Sequence, residues 1–386
     1  MVDYDFLSVY FYSVPNLRFS YKGDWSKRKL NEICHFFKGN GLSKSDLSNE
    51  GFPCILYGEL YTTYKNEVIS DIISKTNTTL SNPFLSRNND LIIPGSGEDP
   101  IDIAVARAIY QNDIILGGDL NILRPKSNVS AAFLSYQLNG VRRYDIAKKA
   151  QGKSIVHLHN SDLKEVLVSI PSCDEQLHIV KLLTKIDEMI ETQSKIIDDY
   201  NSLKMGIYNC MFKENYADYK LKQLAYIVKG DQINNDQLLS NGSYYMMNGG
   251  ASPSGYLDSY NVSENTISIS EGGNSCGYVQ FNSSPFWSGG HCYTIQNVNS
   301  ALIENKYLYH YLKYKEKEIM NLRIGTGLPN IQKKDLENFT ILVPSLLIQR
   351  KNLALFEMLD EKISILNEEL ANLQKQKKYL LCNMFI

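Results

Sequence analysis

The sequence predicts an α+β fold with two mixed α/β domains and two long helices that pair with each other. The first observation is an internal repeat: residues 152–212 correspond to residues 325–385 at a constant offset of 173, without insertion or deletion over sixty-one positions. Thirteen of these pairs are identical. The second observation is an apolar heptad pattern in both copies, and the third is a series of short strand patterns between turn residues before each copy. A chain that carries one module twice is predicted to bind something that has two halves.

Composition limits the class of protein. A chain of 386 residues with 43% apolar, 11% aromatic and 21% charged residues is long enough for two globular domains. No run approaches the roughly 18 apolar residues of a membrane span. The aromatic start, residues 6–14, lacks the basic flank and cleavage site of a signal peptide. Seven cysteines without a C-x-x-C pair are typical of reduced thiols, so we expect a cytoplasmic protein.

Neither a metal site nor an enzyme active site is predicted. His157-x-His159 and His291-Cys292 have no second pair at ligand spacing. Gly95-Ser96-Gly97 is too short a match for a methyltransferase cofactor loop, and Asn82-Pro83-Phe84 lacks the second proline of an adenine-methylase motif. Gly152-Lys153-Ser154 has no glycine at the first position of a P-loop. We therefore expect that this chain binds no cofactor of its own.

Short strands alternate with turns in both domains, and one short helix follows them in each. Gly, Asn, Ser and Pro separate the apolar runs. The predicted strands are residues 54–57, 90–93, 114–116 and 121–123 in the first domain, and 244–247, 266–270, 278–281 and 292–295 in the second. The predicted short helices are residues 129–139 and 305–321.

Two long helices close the two halves. Ser172, with Glu175 three residues on, forms a capping-box pattern for a helix over residues 173–212, and Pro344-Ser345 begins the second helix. Steps of four and three then continue for about four heptads, which favours pairing of the two helices over each helix lying on its own domain. Lys204 and Lys377 occupy equivalent seam positions. The apolar seam residues are Ile186, Ile190, Ile197, Tyr200, Ile207, Met211, Leu359, Ile363, Leu366, Leu370, Leu373, Leu380 and Met384.

Charge is segregated although the net charge is only −2. Two basic clusters lie at or just before the repeated segments, in corresponding places, which favours contacts with a phosphate backbone over ordinary solvated faces. The candidate backbone-contact residues are Arg142, Arg143, Lys148, Lys149, Lys153, Lys313, Lys315, Lys317, Arg323, Lys333 and Lys334. Tyrosines among Asn and Gly in the second domain admit sugar recognition by stacking, base and backbone contact in DNA, or ordinary positions on half-buried strands.

The chain resembles the specificity subunit of type I restriction-modification systems. The residues that carry the resemblance are Val14-Pro15-Asn16-Leu17-Arg18-Phe19, Trp25, Lys29-Leu30-Asn31-Glu32-Ile33, the Pro-Ser-x-x-x-Gln helix starts at 171 and 344, and the helix ends Met211-Phe212 and Met384-Phe385. Gly152 with Ile155 and Leu158, and Gly325-Thr326-Gly327 with Ile331, are similar to the family's glycine loops.

The resemblance implies two target-recognition domains in pseudo-twofold arrangement, separated by two long antiparallel coiled-coil helices. Each domain would read one half of an interrupted sequence in double-stranded DNA. The expected boundaries are an N-terminal extension at 1–14, target-recognition domains at 15–170 and 216–343, and spacer helices at 171–215 and 344–386. The helices would bind two methylation subunits, and restriction subunits would join the full complex. S-adenosylmethionine, ATP and Mg would belong to those partners, and this chain would supply no catalytic residue.

Three alternatives remain open from the sequence. A carbohydrate-binding or phage-tail-like module accounts for the Tyr/Asn/Gly-rich strands but not for two matched heptad helices. A free-standing adenine methyltransferase requires that this chain bind S-adenosylmethionine alone. A specificity subunit of another multi-subunit restriction system has the same organisation with different partners.

Overall fold

The computed structural model describes residues 14–212, 216–325, 327 and 329–386. Residues 1–13, nearly all of the predicted N-terminal extension, lie outside the described residues. The described chain forms two units: unit 1 runs up to Ser194 and also includes Glu368–Ile386, whereas unit 2 is Lys195–Asn367. Each unit contains one mixed α/β domain, part of the first long helix and part of the second. The units thus divide each long helix, which the predicted boundaries kept whole.

Unit 1 is built around a five-stranded sheet. Its strands are β1 (Ser26–Lys29), β2 (Cys34–Lys38), β3 (Leu47–Ser48), β4 (Phe52–Ile55), β5 (Val68–Ile69), β6 (Ser74–Thr76), β7 (Asp90–Pro94), β8 (Ser96–Gly97), β9 (Arg107–Ile109), β10 (Ile115–Leu116), β11 (Leu120–Pro125), β12 (Gln151–Gly152), β13 (Val156–His157) and β14 (Leu167–Ile170). Its helices are α1 (Leu30–Ile33), α2 (Glu59–Thr62), α3 (Pro100–Ile103), α4 (Ala131–Asn139), α5 (Arg143–Ala147), α6 (Asn160–Lys164) and the first part of the long helix α7 (Cys173–Met211).

The strand order in this sheet is β2-β11-β7-β9-β5, and a second sheet has the order β10-β4-β6-β3. Strand β7 is buried along its whole length, which explains the apolar run from Leu91 to Ile93. Helix α4 is buried from residue 131 to 138 and packs beside β7 and β9. The core also holds Trp25, Phe133 and Phe385, so it joins an N-terminal residue to the end of the second long helix.

Unit 2 repeats this arrangement of sheet and packed helices, the frame of each unit, with fewer strands. Its strands are β15 (Ala217–Lys220), β16 (Tyr226–Lys229), β17 (Tyr244–Met247), β18 (Gly255–Leu257), β19 (Thr266–Ser270), β20 (Val279–Asn282), β21 (Trp287–Ser288), β22 (Cys292–Gln296) and β23 (Thr340–Val343). Its helices are α8 (Leu221–Leu224), α9 (Asn305–Tyr314), α10 (Glu316–Met320), α11 (Lys333–Glu337) and the first part of the long helix α12 (Leu346–Asn383).

The two frames match strand by strand. The order β16-β22-β19 in unit 2 corresponds to β2-β11-β7 in unit 1, and all four pairings are antiparallel. The short parallel pairing of β4 with β10 in unit 1 corresponds to that of β17 with β21 in unit 2, and unit 1 has a further parallel pairing of β5 with β9. The predicted strands at 244–247 and 266–270 are confirmed at both ends. The predicted helix over 305–321 is wrong in one respect, because it divides at Lys315 into α9 and α10.

Ser172 caps α7 as predicted, since its Oγ accepts the backbone N–H of Glu175 at 3.3 Å. The second half of the predicted capping box is replaced by a tertiary contact. The Glu175 carboxylate accepts two hydrogen bonds from Arg18, at 2.6 and 2.8 Å, and one from Trp25 Nε1 at 3.2 Å. The carboxylate therefore fixes the N-terminal segment to the start of the long helix.

Equivalent glutamines attach the two long helices to their domains. Gln176 Oε1 accepts from the backbone N–H of Ser130, and its Nε2 donates to two carbonyls at 3.1 Å each. Gln349 does the same in unit 2, where it accepts from Glu304 N at 2.8 Å and donates to the carbonyls of Leu302 and Pro344. Both side chains are buried, so all their polar groups are paired inside the protein. These contacts explain why the Pro-Ser-x-x-x-Gln pattern occurs twice.

The seam lysines are not defects in the helix pairing, because each forms an ion pair with the facing helix. In unit 1, Lys377 Nζ lies 2.6 Å from both Asp187 Oδ1 and Glu67 Oε2. In unit 2, Lys204 pairs with Asp360. Lys204 and Lys377 are related by the repeat offset, as are Asp187 and Asp360. The duplication has therefore produced the same polar pair twice, with lysine and aspartate exchanged between α7 and α12.

The helices run antiparallel within unit 1. Asp187 faces Lys377, and Gln193 Nε2 donates to Glu369 Oε2 at 2.9 Å, so the residue number on α12 falls as the number on α7 rises. All thirteen predicted seam residues are buried or half-buried. The seam also serves the domains at its ends: Met384 joins the core of unit 1, and Met211 packs against the core of unit 2.

Candidate nucleic-acid interface

The structure assigns intramolecular contacts to two of the five predicted basic residues of unit 1. Arg142 Nη2 donates to the backbone carbonyl of Ile386 at 3.0 Å, and its Nη1 lies 3.2 Å from Asp145. Arg143 Nη2 donates to the carbonyl of Ile101 at 3.0 Å. These guanidinium groups hold parts of the domain together. Lys148 and Lys153 are exposed and Lys149 is half-buried, so the lysines are better placed to contact a phosphate backbone.

The basic residues of unit 2 divide in the same way. Lys313 lies 2.6 Å from Glu316 and 4.1 Å from the centre of the Tyr278 ring. Lys315 pairs with Glu318 at 2.6 Å, and Lys333 lies 3.8 Å from Glu337. The exposed cations of this set that have no ion pair among the described residues are Lys317, Arg323 and Lys334.

A Gly-Gly turn occupies the same place in both units. Gly117 N donates to Ile55 O at 2.9 Å, at the end of β4, and Gly289 N donates to Met247 O at 2.8 Å, at the end of β17. Opposite this turn lies the first glycine after β2 or β16. A Cβ at Gly39 would lie 2.0 Å from the carbonyl oxygen of Gly117, so the close approach of two backbones requires glycine.

The repeated glycine loop lies beside this turn in both units. In unit 1 the loop forms the hairpin β12–β13, and His157 pairs with Ser96 of β8. In unit 2, Asn330 bridges to Gly272, and Gly273 N donates to Pro329 O at 3.0 Å. Gly152 has a φ of +139°, and a Cβ there would meet Ile155 O at 2.0 Å, so the turn cannot accept a side chain.

A polar pocket of about 550 Å³ lies in unit 2 between the Gly-Gly turn, the glycine loop and the segment after β17. Its polar side chains are those of Lys229, Asn248, Ser254, Glu271, His291 and Asn330. Glu271 Oε1 lies 2.5 Å from Lys229 Nζ and accepts the hydroxyl of Tyr293 at 3.1 Å. Glu271 Oε2 lies 3.4 Å from His291 Nδ1 and makes no hydrogen bond within the described chain, although the residue is only 8% exposed.

Unit 1 has a pocket of about 700 Å³ that shares two of these walls, the segment after β4 and the residue after the Gly-Gly turn, whereas its other walls come from residues 42–47 and α2 and not from the glycine loop. In unit 1 the Gly-Gly turn donates to the carbonyl of Ile55, and the next residue, Leu56, lines the pocket. In unit 2 the turn donates to the carbonyl of Met247, and the next residue, Asn248, lines the pocket. Asp119 follows the Gly-Gly turn of unit 1, and His291 follows that of unit 2. The carbonyl of Asp119 accepts the amide of Gly95, just after β7, and the carbonyl of His291 accepts the amide of Glu271, just after β19. The walls differ in chemistry, because unit 1 presents Asp119, Glu59, Lys44 and Tyr57 with several apolar side chains.

Sequence reasoning missed these pockets as sites, although the sequence carries matched landmarks beside them. Lys38-Gly39 with Lys229-Gly230, and Gly117-Gly118-Asp119 with Gly289-Gly290-His291, are matched anchors that flank the pockets and carry charged or ring side chains. Residues that remain aligned while their surroundings diverge mark backbone positions that the frame needs. The polar residues at these anchors were the available signal.

One frame that is duplicated, with a different pocket in each copy, defines a two-part recognition protein. The family model described as the type I restriction modification DNA specificity domain matches residues 22–199 and 213–375, one match for each half of the chain. The chain belongs to this family. Among the described residues, no helix is long and apolar enough to cross a membrane.

Relatives with known names agree with this assignment. A Mycoplasma pneumoniae protein described as a putative type I specificity subunit is 34% identical over a segment that covers 40% of this chain and 41% of the relative. A Methanocaldococcus jannaschii protein described as a type I restriction enzyme specificity subunit is 23% identical over 93% of this chain and 92% of its own length.

The fold also matches a solved structure. The crystal structure of the type I restriction-modification S subunit from M. genitalium has a TM-score of 0.69 at 20% identity, and the match covers 97% of this chain and 99% of that one. A second structure, from work on the assembly and conformational transition of a type I system, has a TM-score of 0.55 at 16% identity over 92% of this chain and 96% of that one. Both matches concern the fold.

Proposed function

We propose that this chain supplies DNA sequence specificity to a type I restriction-modification complex, and that each unit reads one half of an interrupted target. The observation that carries the proposal is the contrast between a repeated frame and two unlike pockets. Gly152 and Gly325 begin equivalent loops, yet the neighbouring side chains are Asp119 in one unit and His291 in the other. A reader of two different half-sites needs this combination, because sequence is read by side chains at base edges.

The long helices are the proposed binding surface for two methylation subunits, through which restriction subunits join the complex. Exposed apolar side chains support this part of the proposal. On α12, Leu347 is 80% exposed and Met358 is 60% exposed, and on α7, Leu177 is 65% exposed. Apolar side chains this exposed on a long helix are typical of a surface that a protein partner covers.

The catalytic chemistry is proposed to reside in those partners, with S-adenosylmethionine, ATP and Mg bound there. The glycines that suggested a methyltransferase loop have another physical explanation in this fold. A Cβ at Gly97 would lie 2.4 Å from the Ile103 side chain, and one at Gly95 would lie 2.7 Å from Asp119 O. Asn82 and Phe84 are held by Asn40 through hydrogen bonds of 2.9 and 3.0 Å. Close packing at the glycines and the hydrogen bonds of Asn40 therefore account for the two motifs.

Methylation mapping tests the proposal. The chain is co-expressed with a methylation subunit from the same system, and methyladenine is mapped across the host genome. We expect an interrupted two-part motif that is absent when this chain is omitted. Exchange of residues 217–343 for the corresponding domain of a relative should change one half of the motif and leave the other half and the gap unchanged. Methylation that is independent of this chain would contradict the proposal.

Salt dependence tests the basic residues. K148Q/K153Q removes two exposed charges of unit 1, and each phosphate contact that is lost should reduce the slope of log K against log salt by about 0.9. The control is K22Q/K65Q, which removes two exposed charges of unit 1 that lie outside both the basic cluster and α7. Both complexes are titrated with target and non-target DNA. Equal slopes for the two variants would show that Lys148 and Lys153 do not contact the backbone.

A further inference from the structure

The pockets of the two units differ in hydrogen-bonding character at one matched position. Asp119 directly follows the Gly-Gly turn in unit 1, and His291 directly follows it in unit 2. Both are exposed, and the side chain of His291 is 61% exposed. One side chain is an acceptor and the other has a ring N–H donor.

The surroundings strengthen this difference. In unit 1, Ser96 Oγ donates to Asp119 Oδ2 at 3.2 Å, which orients the carboxylate. In unit 2, Asn248 Oδ1 already accepts the backbone N–H of His291 at 2.9 Å, so its amide nitrogen is the group left to donate. Lys229 adds a second donor at the pocket wall. At the matched position unit 1 therefore presents an oriented carboxylate acceptor, whereas unit 2 presents the donors of His291, Asn248 and Lys229.

The buried carboxylate of Glu271 positions the donor groups of unit 2. It lines the pocket, it is only 8% exposed, and its Oε2 has no hydrogen-bond partner among the described residues. The nearest donor group to this oxygen is the His291 ring, whose Nδ1 lies 3.4 Å away. Lys229 lies beside one oxygen of this carboxylate and His291 beside the other. The carboxylate therefore holds both donor side chains at the pocket, where they bind an acceptor on the ligand.

We propose that Asp119 and His291 are specificity-determining residues, and that their pockets each receive the edge of a base in one half of the DNA target. This inference rests on the proposed function. In the major groove, cytosine presents the N4 amino donor that a carboxylate accepts, and guanine presents the acceptors N7 and O6. The pocket of unit 1 thus selects cytosine, and the pocket of unit 2 selects guanine.

Two amide substitutions test the inference. Asparagine and glutamine pair with adenine through N6 and N7, so Asp119→Asn and His291→Gln should each move the preference toward adenine at one position. Each change should alter discrimination at that position by about ten-fold to a hundred-fold, in its own half of the motif only. Asp119 has a φ of +56°, a conformation that asparagine also tolerates, so the fold should be retained.

The assay is selection from random-sequence DNA by the complex of this chain with its methylation subunit, checked by methyladenine mapping. Asp24→Asn and His35→Gln are the matched controls, since both residues are exposed and lie outside the pockets. Unchanged motifs in both pocket variants, with normal thermal transitions, would overturn the inference and leave the proposed function intact. If the wild-type complex selects no motif, the proposed function fails and the inference fails with it.

Discussion

The two seam lysines provide an internal comparison of a buried and a partly exposed ion pair. Lys377 lies between Glu67 and Asp187, whose side chains are 7% and 6% exposed. Burial lowers the pKa of Lys377, but the two carboxylates outweigh burial and raise it overall. For Asp187, burial is the larger effect, and it raises the pKa of the carboxyl group although Lys377 lowers it. By contrast, the side chain of Asp360, the partner of Lys204, is 38% exposed.

Substitution of each lysine by methionine should therefore have unequal effects. Lys377→Met leaves two carboxylates buried without a cation, and we expect the free energy of unfolding of unit 1 to fall by about 3–5 kcal/mol at pH 7. Lys204→Met leaves Asp360 accessible to water, and unit 2 should lose about 1 kcal/mol or less. The repeat makes these two changes chemically identical, so burial of the partner is the main variable.

The pH dependence gives a second criterion. Burial raises the pKa of Asp187, so without Lys377 its protonation removes an unpaired buried charge, and the loss in unit 1 should shrink as the pH falls from 7 toward 5. The triple change K377M/E67Q/D187N should recover part of the stability at pH 7, because it removes the charges together.

Hydrogen exchange at increasing urea concentration measures the two units separately, through the amides of β7 in unit 1 and β19 in unit 2. Equal losses for the two methionine variants would refute the reasoning from burial. So would a loss for Lys377→Met that stays constant between pH 7 and pH 5.

Three further changes test other contacts of the frame. Gln349→Ala removes a side chain with three buried hydrogen bonds and should cost unit 2 about 2–4 kcal/mol by the same exchange measurement, whereas the exposed Gln374→Ala should cost little. Burial lowers the pKa of His310 to about 3, below its ordinary value, so unit 2 should lose stability as the pH falls below about 6.5, by at most about 1.4 kcal/mol per pH unit; His310→Gln should flatten that slope, and an unchanged slope would contradict it. Gly152→Ala should lower the melting temperature of the complex, because its Cβ would meet Ile155 O; no change would mean that the loop rearranges at low cost.

The parts of the fold that local patterns control were predictable. The helix predicted over 173–212 is α7 (Cys173–Met211). It was predictable because an N-cap serine and a heptad pattern are both formed by residues close together in the sequence. The strand predicted over 266–270 has the same first and last residues as β19, because polar and apolar residues alternate along it and turn residues bound it.

Contacts between residues far apart in the chain were not predictable. Lys377 pairs with Glu67, 310 positions away, and Arg142 donates to a carbonyl 244 positions away. A basic residue that serves the core has the same local sequence signature as one that serves a ligand. For the same reason the pockets escaped prediction, since their walls come from segments that only the sheet order brings together.

The core of unit 1 has a consequence for the order of folding. Trp25 and Phe133 pack against Phe385, with ring centres 6.3 and 5.3 Å apart. The ribosome synthesises all of Lys195–Asn367 before it reaches that phenylalanine. The unit that begins first can therefore complete its core only after the whole of the other unit has been made, and until then its aromatic residues need protection from aggregation.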